Sequence, residues 1–174
     1  MSLSPQIIKV DSNENHLLSQ LCNRIYRQHF PYLWDEGGLE WYTQKVYAPE
    51  VLKLEIEHPN TDFFFMKMGN EPVGYIKLNY TFGKDPEGME VERIYFLEEF
   101  AGQGLGKKMI LFAFDSARSL GKSCIYLKVM DSSANSIAFY QKTGFEIISN
   151  FRLDDEFRLM KSELRGMHLM KKTL

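Results

Sequence analysis

The segment at 101–106 reads Ala-Gly-Gln-Gly-Leu-Gly and carries three glycines within five positions. It follows a strand-like run at 92–96 and precedes apolar residues at helical spacing. A strand that passes through a glycine-rich turn into a helix presents bare backbone N–H groups to a phosphate. Lys107 and Lys108 fall in the first helical turn, where the helix dipole disfavours cations unless an anion is bound. The pattern predicts a phosphate-binding turn, with a plain helix-entry loop as the alternative.

Two common nucleotide-binding motifs do not fit this turn. A P-loop requires Gly-Lys-Ser/Thr, and Gly106-Lys107-Lys108 lacks the hydroxyl that would hold magnesium. A dinucleotide-binding fingerprint requires a further glycine two residues on and an early βαβ unit, and the sequence has neither.

A second informative segment lies at 135–145 and reads Asn-Ser-Ile-Ala-Phe-Tyr-Gln-Lys-Thr-Gly-Phe. Gly144 is predicted to end a short helix that carries Asn135 and Tyr140, ahead of a further strand. With both segments in view, the chain resembles the GCN5-related N-acetyltransferase (GNAT) superfamily. Residues 101–106 correspond to the family's pyrophosphate turn, Gln/Arg-x-x-Gly-x-Gly/Ala. The second segment loosely matches the family signature Asn-x-x-Ala-x-x-Phe-Tyr-x-x-x-Gly-Phe.

Two features depart from the family pattern. Ala101 stands where the family usually has Arg or Gln. Because main-chain N–H groups hold most of the phosphate, we expect this change to weaken coenzyme binding only modestly. In the second signature, Ala138 and Phe139 are adjacent instead of separated. The runs Val91–Phe96 and Phe63–Phe65 further resemble bacterial spermidine/spermine acetyltransferases of the PaiA type.

The resemblance implies one acetyltransferase domain over residues 1–174 that uses acetyl-CoA and no metal. The residues that it implies in coenzyme binding are Ile94, Tyr95, Phe96, Gly102, Gln103, Gly104, Leu105, Gly106, Lys107 and Asn135. For Asn135 a helix cap is the alternative. Tyr140 corresponds to the family tyrosine near the coenzyme sulfur, where it would hydrogen-bond or protonate the leaving thiolate. Without the resemblance, Tyr140 would be interpreted as a core aromatic.

Acetyl transfer to an amine requires a neutral nitrogen, and an alkylamine of pKa about 10 is almost wholly protonated at neutral pH. Glu90 and Glu92 are two positions apart on a strand, so the sequence predicts that they share a face with Ile94 and Phe96. The residues alone leave open whether the carboxylates face solvent or a site. The resemblance assigns Glu92 as the general base, acting through a water, with Glu90 as the second candidate.

The resemblance implies direct attack by a primary amine in a ternary complex, and the PaiA-type likeness implies a small polyamine such as spermidine or spermine. A polyamine site needs carboxylates for the distal ammonium groups. Asp35, Glu36 and Glu40 cluster in a loop, and Asp35 and Glu36 together with Glu90 are the predicted acceptor-binding residues. A solvated loop end is the alternative for the cluster. Two other functions stay open: acetylation of a protein or peptide amine, and a catalytically silent acyl-CoA-binding domain.

Bulk properties narrow the class of partner. The chain has 174 residues, of which 44% are hydrophobic and 25% charged, and its formal net charge is -2. This charge gives no general attraction to nucleic acid or to an anionic membrane, so we expect a small-molecule partner and leave a homodimer open.

Cys22 and Cys124 lie in apolar surroundings, which favours buried free thiols in a reducing cytoplasm. The histidines share no metal-ligand spacing with one another or with the cysteines.

The elements that would position these residues alternate between strands and helices. Strands are predicted at 6–10, 63–68, 72–80, 90–96, 123–130, 145–151 and 167–172. Helices are predicted up to about residue 29, around 39–46, from 49, over 104–120 and just before 144. The resemblance implies an α/β (α+β) fold of GNAT type, with a central mixed, mostly antiparallel sheet of about six to seven strands flanked by about four helices. The aromatic run 63–65 is expected in the sheet core, and 152–165 shows no clean period.

Overall fold

One mixed sheet of seven strands runs through the molecule. The computed structural model describes residues 4–174. The strands are Pro5–Lys9 (β1), Thr61–Met68 (β2), Glu71–Asn79 (β3), Gly88–Phe96 (β4), Cys124–Met130 (β5), Glu146–Arg152 (β6) and Gly166–Thr173 (β7). They lie in the order β1-β2-β3-β4-β5-β7-β6. β4 and β5 are parallel and the other neighbouring pairs are antiparallel, which confirms the predicted fold class.

Five helices of eight or more residues accompany the sheet: Asn15–His29 (α1), Gly38–Tyr47 (α2), Pro49–Ile56 (α3), Leu105–Ser119 (α4) and Ala134–Lys142 (α5). The resemblance implied about four, whereas the residues themselves predicted five, with a separate helix from 49. Pro49 at the first helical position starts α3, and the extended Ala48 separates it from α2. No helix within residues 4–174 is long and apolar enough to cross a bilayer.

The aromatic run Phe63–Phe65 lies in the sheet core, as predicted. Phe63 is fully buried, and the Lys77 ammonium lies 5.7 Å from its ring centre on the face that α3 covers. Phe64 points to the opposite face, where its ring centre lies 4.8 Å from that of Phe112 in α4. Because successive strand side chains alternate between faces, α3 and α4 cover opposite sides of the sheet.

A β-bulge in β4 changes which side chains share a face. Arg93 pairs with Lys77 and Val91 with Leu78, so Glu92 is an extra residue in β4. The Arg93 guanidinium then lies 5.5 Å from the Tyr47 ring centre in α2. Beyond the bulge, Phe96 faces the first turn of α4 on the other side of the sheet. The predicted common face for Glu90, Glu92, Ile94 and Phe96 is therefore wrong, because the extra residue reverses the alternation after Glu92.

The parallel pair β4–β5 is short. Residues Gly88–Glu90 pair with Cys124–Tyr126, and beyond them the two strands separate. β4 continues beside β3 as far as Phe96, while β5 continues beside β7 as far as Met130. The separation leaves a gap in the middle of the sheet, and α4 starts directly beyond the end of β4.

The segment 152–165, which had no clear sequence pattern, folds back onto the region between α1 and α2. Met160 forms an isolated bridge with Trp34. The Asp35 N–H donates to the Leu159 carbonyl at 2.9 Å, and the Lys161 N–H donates to the Leu33 carbonyl at 2.8 Å. These backbone bonds hold the segment as a wall beside α2.

Both cysteines are buried and unpaired, as the sequence predicted. Burial raises the pKa of the Cys22 thiol to about 12, so this group stays protonated at neutral pH. It behaves as a small apolar residue of the core.

Candidate active site

A cavity of about 1140 Å³ lies where β4 and β5 separate. Its wall includes most residues that the sequence singled out: Glu90, Glu92, Ile94, Tyr95, Phe96, Gly102, Gly104, Leu105, Gly106, Lys107, Asn135 and Tyr140. The wall does not include Asp35, Glu36 or Gln103. The Gln103 side chain instead donates to the Glu99 carbonyl at 3.4 Å. The structure thus brings both sequence segments to one cavity.

The glycines of the 101–106 turn serve two different purposes. Gly102 and Gly104 have φ of 74° and 76°, a conformation that residues with a Cβ rarely adopt. Gly106 lies in the first turn of α4 without a positive φ, and the nearest atom to a Cβ placed there is 3.7 Å away, on Phe139. The protein's own packing therefore has room for a side chain at 106. Its absence leaves the backbone bare toward the cavity.

The N-terminus of α4 offers free backbone donors to the cavity. The first helical bond runs from the Lys108 N–H to the Gly104 carbonyl at 3.1 Å, so the N–H groups of 105–107 have no helical partner. Lys107 lines the cavity beside them. The Lys108 ammonium instead donates to the Pro5 carbonyl at 2.7 Å. Of the two lysines that suggested a bound anion, the structure leaves only Lys107 for it.

The open edge of β4 presents main-chain groups to the gap. The Leu97 N–H donates to the Val73 carbonyl of β3 at 2.9 Å, so the Phe96 carbonyl points away from β3. There it accepts a hydrogen bond from His29 Nε2 at 2.9 Å. By the same alternation, the amide of Ile94, two residues earlier, faces the gap. These are the groups that the resemblance assigned to coenzyme binding.

Glu92 is held as a carboxylate by three neighbours. Lys77 Nζ and Arg93 Nη2 lie 2.7 Å and 3.2 Å from its oxygens, and Asn79 Nδ2 donates at 2.7 Å. Burial raises the pKa of Glu92, but Arg93, Lys77 and Asn79 outweigh this effect and hold the pKa below its ordinary value. Glu92 is therefore ionised at neutral pH and is a weak proton acceptor.

The cations that hold Glu92 are themselves shared with α3. Glu55 accepts from Lys77 at 3.0 Å and from Arg93 at 2.9 Å and 3.2 Å. The side chains of Lys77 and Arg93 are only 6% and 11% exposed, so each would be costly to bury without these carboxylates. The cluster ties β3, β4 and α3 together behind the cavity.

Glu90 has one carboxylate oxygen without a hydrogen bond. Its side chain is 10% exposed, and Asn79 Nδ2 donates to Oε2 at 2.9 Å. Oε1 is buried and has no hydrogen-bond donor among residues 4–174, although Lys128 Nζ lies 3.2 Å away. The Lys128 pair is thus close in distance but wrongly oriented for a hydrogen bond, and its lysine is 45% exposed. Oε1 therefore has unused capacity to accept a hydrogen bond.

Tyr140 lies on α5 between two aromatic neighbours. The centres of the Phe139 and Phe145 rings lie 5.3 Å and 5.8 Å from its own. Burial raises the pKa of Tyr140, and no charge or hydrogen bond contributes to the shift. The phenol is therefore neutral at physiological pH and has its hydroxyl proton to donate.

Asn135 does not cap its helix. α5 begins at Ala134 with Ser133 as the N-cap residue, so Asn135 is the second helical residue. Its side chain is exposed and lines the cavity. The capping interpretation of Asn135 is wrong, because the helix starts two residues earlier than that role requires.

The acidic loop at 35–40 lies outside the cavity. The Glu40 carboxylate pairs with Arg27 at 2.6 Å and 2.9 Å, and both side chains are exposed. Asp35 and Glu36 are also exposed. Their predicted contact with an acceptor has no counterpart in the cavity wall.

An aromatic wall, defined here as Tyr26, Phe30, Tyr42, Tyr95 and Phe157, lines another part of the same cavity. Tyr26 stacks on Tyr42 with ring centres 4.7 Å apart, and Phe157 meets Tyr42 edge-on at 5.6 Å. Phe30 meets Tyr95 edge-on at 5.4 Å. Four of the five keep part of their surface uncovered, because only Tyr26 is buried.

Sequence reasoning missed the residues that tune this site. Lys77 stands inside the apolar strand segment 73–78, and a lysine at such a position indicates a paired internal charge. Arg93 carries the same signal. Nothing local marks Asn79, His29 or the aromatic wall, because their roles depend on contacts between distant segments. No group of three or more metal-binding side chains occurs within residues 4–174.

The family model of the acetyltransferase (GNAT) family matches residues 22–145. The chain belongs to this family and is an N-acetyltransferase by class. It is similar to an uncharacterized N-acetyltransferase of Lactobacillus delbrueckii subsp. lactis, with 31% identity over 137 residues, 76% of each chain.

Two solved structures share the fold. The PaiA N-acetyltransferase of Thermoplasma acidophilum, in complex with coenzyme A, superposes with a TM-score of 0.78 at 19% identity, over 98% of this chain and 99% of that one. A chimera of the spermidine N-acetyltransferase SpeG from Vibrio cholerae has a TM-score of 0.70 at 14% identity, over 97% and 95% of the two chains. At these identities the likeness confirms the GNAT fold.

Proposed function

We propose that this chain transfers the acetyl group of acetyl-CoA to a primary amine by direct attack in a ternary complex. The observation that carries the proposal is the side-chain-free backbone at Gly106, which the protein's own packing does not require. A backbone left bare at a helix N-terminus suits close approach of a phosphate. The PaiA structure, which holds coenzyme A, supports the same use of the fold.

The coenzyme side of the cavity would be formed by the glycine turn and the open edge of β4. The N–H groups of 105–107 and the Lys107 ammonium supply donors and positive charge for a pyrophosphate. Main-chain groups of Ile94 and Phe96 suit an extended amide-bearing arm, because they face the gap in the sheet, whereas those of Tyr95 face β3. Bound there, the coenzyme supplies a thioester that is reactive toward a neutral amine.

The acceptor side must hold an ammonium and accept its proton. Glu92 is committed to Lys77, Arg93 and Asn79, so it would act mainly by fixing the negative charge of the site. Glu90, with Oε1 free of hydrogen bonds, would bind the ammonium and pass its proton to water. Of the two candidate bases, Glu90 is thus favoured over Glu92, and Asn79 joins the two carboxylates.

Tyr140 would donate a hydrogen bond to the sulfur as it leaves. Its raised pKa keeps the phenol protonated, so the donor is present across the physiological pH range. The Ile94 amide, which faces the gap, would stabilise the carbonyl oxygen as negative charge develops on it. Together these groups need no covalent bond between protein and acetyl group.

One candidate acceptor is the polyamine implied by the resemblance, and a spermidine acetyltransferase chimera shares this fold. Such an acceptor requires carboxylates free to bind more than one ammonium. A protein or peptide amine and a catalytically silent acyl-CoA-binding domain are the competing proposals. We propose a small molecule as the partner, with no role for nucleic acid or membrane. We propose the cytoplasm as the location of the protein.

A homodimer is proposed through β6, the edge strand of the sheet. Six of its seven residues are exposed, including Ile147 at 40% and Ile148 at 48%. β6 has a bulge at Ile148, because Ile147 pairs with Met170 and Ser149 with Leu169, so a second copy would pair with the regular stretch 149–152 beside it. An uncovered edge strand of this kind is usually protected by charge or by a partner.

Thiol release tests the enzymatic proposal directly. The protein is mixed with acetyl-CoA and a panel of primary amines, and free thiol and acetylated amine are measured. Release of equimolar thiol and acetylated product with at least one amine supports transfer. Thermal stabilisation by acetyl-CoA without release for any amine or peptide would identify a binding domain instead. If acetyl-CoA caused neither thermal stabilisation nor thiol release, the proposed coenzyme site would be overturned as well.

A further inference from the structure

We propose that the acceptor is an amine with a single positive charge and a flat apolar body, the class of the arylalkylamines. This inference rests on the proposed function, because it names the substrate of that same site. It combines the charge balance behind the cavity with the aromatic wall beside it.

The ionised groups behind the cavity already neutralise one another. Three carboxylates face three cations, each pair within 3.2 Å: Glu55 with Lys77 and Arg93, Glu92 with Lys77 and Arg93, and Glu90 with Lys128. Each of Glu55 and Glu92 already accepts from three donors, so most of its acceptor capacity is used inside the protein. The cluster therefore offers little net attraction to a polycation.

A single ammonium nevertheless has a place to bind. Glu90 Oε1 is buried and without a hydrogen bond, and the side chain that carries it is nine-tenths buried. Lys128, its neighbour at 3.2 Å, is 45% exposed and can turn into solvent when a substrate ammonium takes its place. One cation leaves and one arrives, so the charge balance is preserved.

The remaining acidic residue of the cavity wall is Glu156. It belongs to the exposed part of the segment 152–165. An exposed carboxylate attracts a distal ammonium only weakly, because water and salt screen the pair. Glu156 thus does not replace the internal carboxylates that a polyamine would need.

The aromatic wall favours an apolar body over a charged one. Phe30, Tyr42 and Phe157 keep uncovered ring surface in the cavity, and their stacked and edge-on contacts hold the rings in place. Covering such surface with another ring removes apolar area from water on both sides. A polyamine tail placed there would lose the hydration of its ammonium groups without gaining carboxylate partners.

The inference is tested with three amines whose acetylation is measured under the same conditions: 2-phenylethylamine, ethylamine and spermidine. We expect kcat/KM for 2-phenylethylamine to exceed that for ethylamine by about tenfold or more, the effect of burying one ring. We also expect it to exceed the value for spermidine, with little dependence on salt. A higher kcat/KM for spermidine would overturn the inference and leave the acetyltransferase proposal intact.

Variants of the 152–165 segment test whether the aromatic ring of the substrate binds against Phe157. Phe157→Leu should reduce the ratio of kcat/KM for 2-phenylethylamine to that for ethylamine by about five- to tenfold, because the flat ring surface is lost. Phe157→Tyr should largely preserve the ratio. Arg158→Gln is the matched control, since Arg158 is the exposed neighbour and is not part of the cavity wall. An unchanged ratio in folded Phe157→Leu would overturn the placement of the substrate ring against this wall. Absence of thiol release with all amines would contradict the proposed function instead.

Discussion

The imidazole Nε2 of His29 lies 2.9 Å from the carbonyl oxygen of Phe96. A carbonyl oxygen can only accept, so Nε2 carries the proton in this contact. The bond joins the last residue of α1 to the last residue of β4, at an edge that β5 no longer covers. His29 therefore fixes the backbone against which the proposed coenzyme arm would lie.

We expect His29→Ala to raise KM for acetyl-CoA about three- to tenfold, the cost of one hydrogen bond that positions a strand. His29→Gln keeps an N–H donor of similar reach and should recover part of the loss. Steady-state kinetics at saturating amine measures the effect. If Gln and Ala at this position gave the same KM, the hydrogen bond would have no positioning role.

Gly106→Val should weaken coenzyme binding strongly while leaving the fold intact. The nearest protein atom to a new Cβ is 3.7 Å away, which is ordinary contact, so the helix has room for the side chain. The two methyl groups would occupy the space that a phosphate needs, and we expect Kd for acetyl-CoA to rise by about a hundredfold. Calorimetry measures Kd. Leu111→Val, an exposed position on the same helix, is the control.

The Glu92 carboxylate should contribute to stability in a pH-dependent way. Its pKa is lowered in the folded state, so its stabilisation is present above the unfolded pKa of about 4.3 and is lost as pH falls through the folded value. We expect Glu92→Gln to lower the free energy of unfolding by about 1 to 3 kcal/mol at pH 7, since Glu55 still pairs with Lys77 and Arg93. Urea unfolding at pH 7 and pH 3.5 tests this. A deficit that did not shrink at the lower pH would contradict it.

Tyr140→Phe should reduce kcat by about a hundredfold with little change in the Kd of acetyl-CoA, because the hydroxyl acts on the leaving sulfur. Burial raises the pKa of Tyr140, so its ionisation should not lower activity in the wild-type protein up to about pH 10. Single-turnover kinetics over that pH range measures both effects. A purely structural tyrosine would instead change stability and coenzyme affinity together.

Ile148→Lys should weaken the β6 dimer, because it places a charge in the strand edge that two copies would share. Leu54→Lys is the control, since Leu54 is 71% exposed on α3. Sedimentation velocity at several concentrations gives the oligomeric state. A wild-type protein that stays monomeric at high concentration would refute the β6 interface.

The order of elements was predictable because each has a local signal. Pro31 follows the end of α1, Pro49 starts α3, and the turn at 101–106 lies between β4 and α4. The faces of β4 were not predictable, because the bulge at Glu92 depends on its register with β3, and the sequence of β4 alone does not contain that register.

The candidate site was predictable on the coenzyme side and not on the acceptor side. Recognition of a phosphate by main-chain N–H groups needs glycines at fixed spacing, and this spacing is visible in the sequence. The acceptor side is assembled from α1, α2 and 152–165, and only the fold brings Tyr42 and Phe157 together. The predicted acceptor residues Asp35 and Glu36 lie outside the cavity wall, and Glu40, in the first turn of α2, pairs with Arg27 on the surface.

The three-residue pairing between β4 and β5 also bears on how the protein moves. Beyond Glu90, no interstrand bond links the half of the sheet built from β1–β4 to the half built from β5–β7. Slow amide hydrogen exchange requires such bonds to stay closed, so N–H groups on the facing edges of β4 and β5 should exchange faster than those bonded to β3 and β7. A ligand that spans the gap would restore a cross-connection, and protection should then rise at both edges together. A bound ligand would thus add to the coupling that the chain supplies through the short β4–β5 pairing and through α4, which contacts both strands.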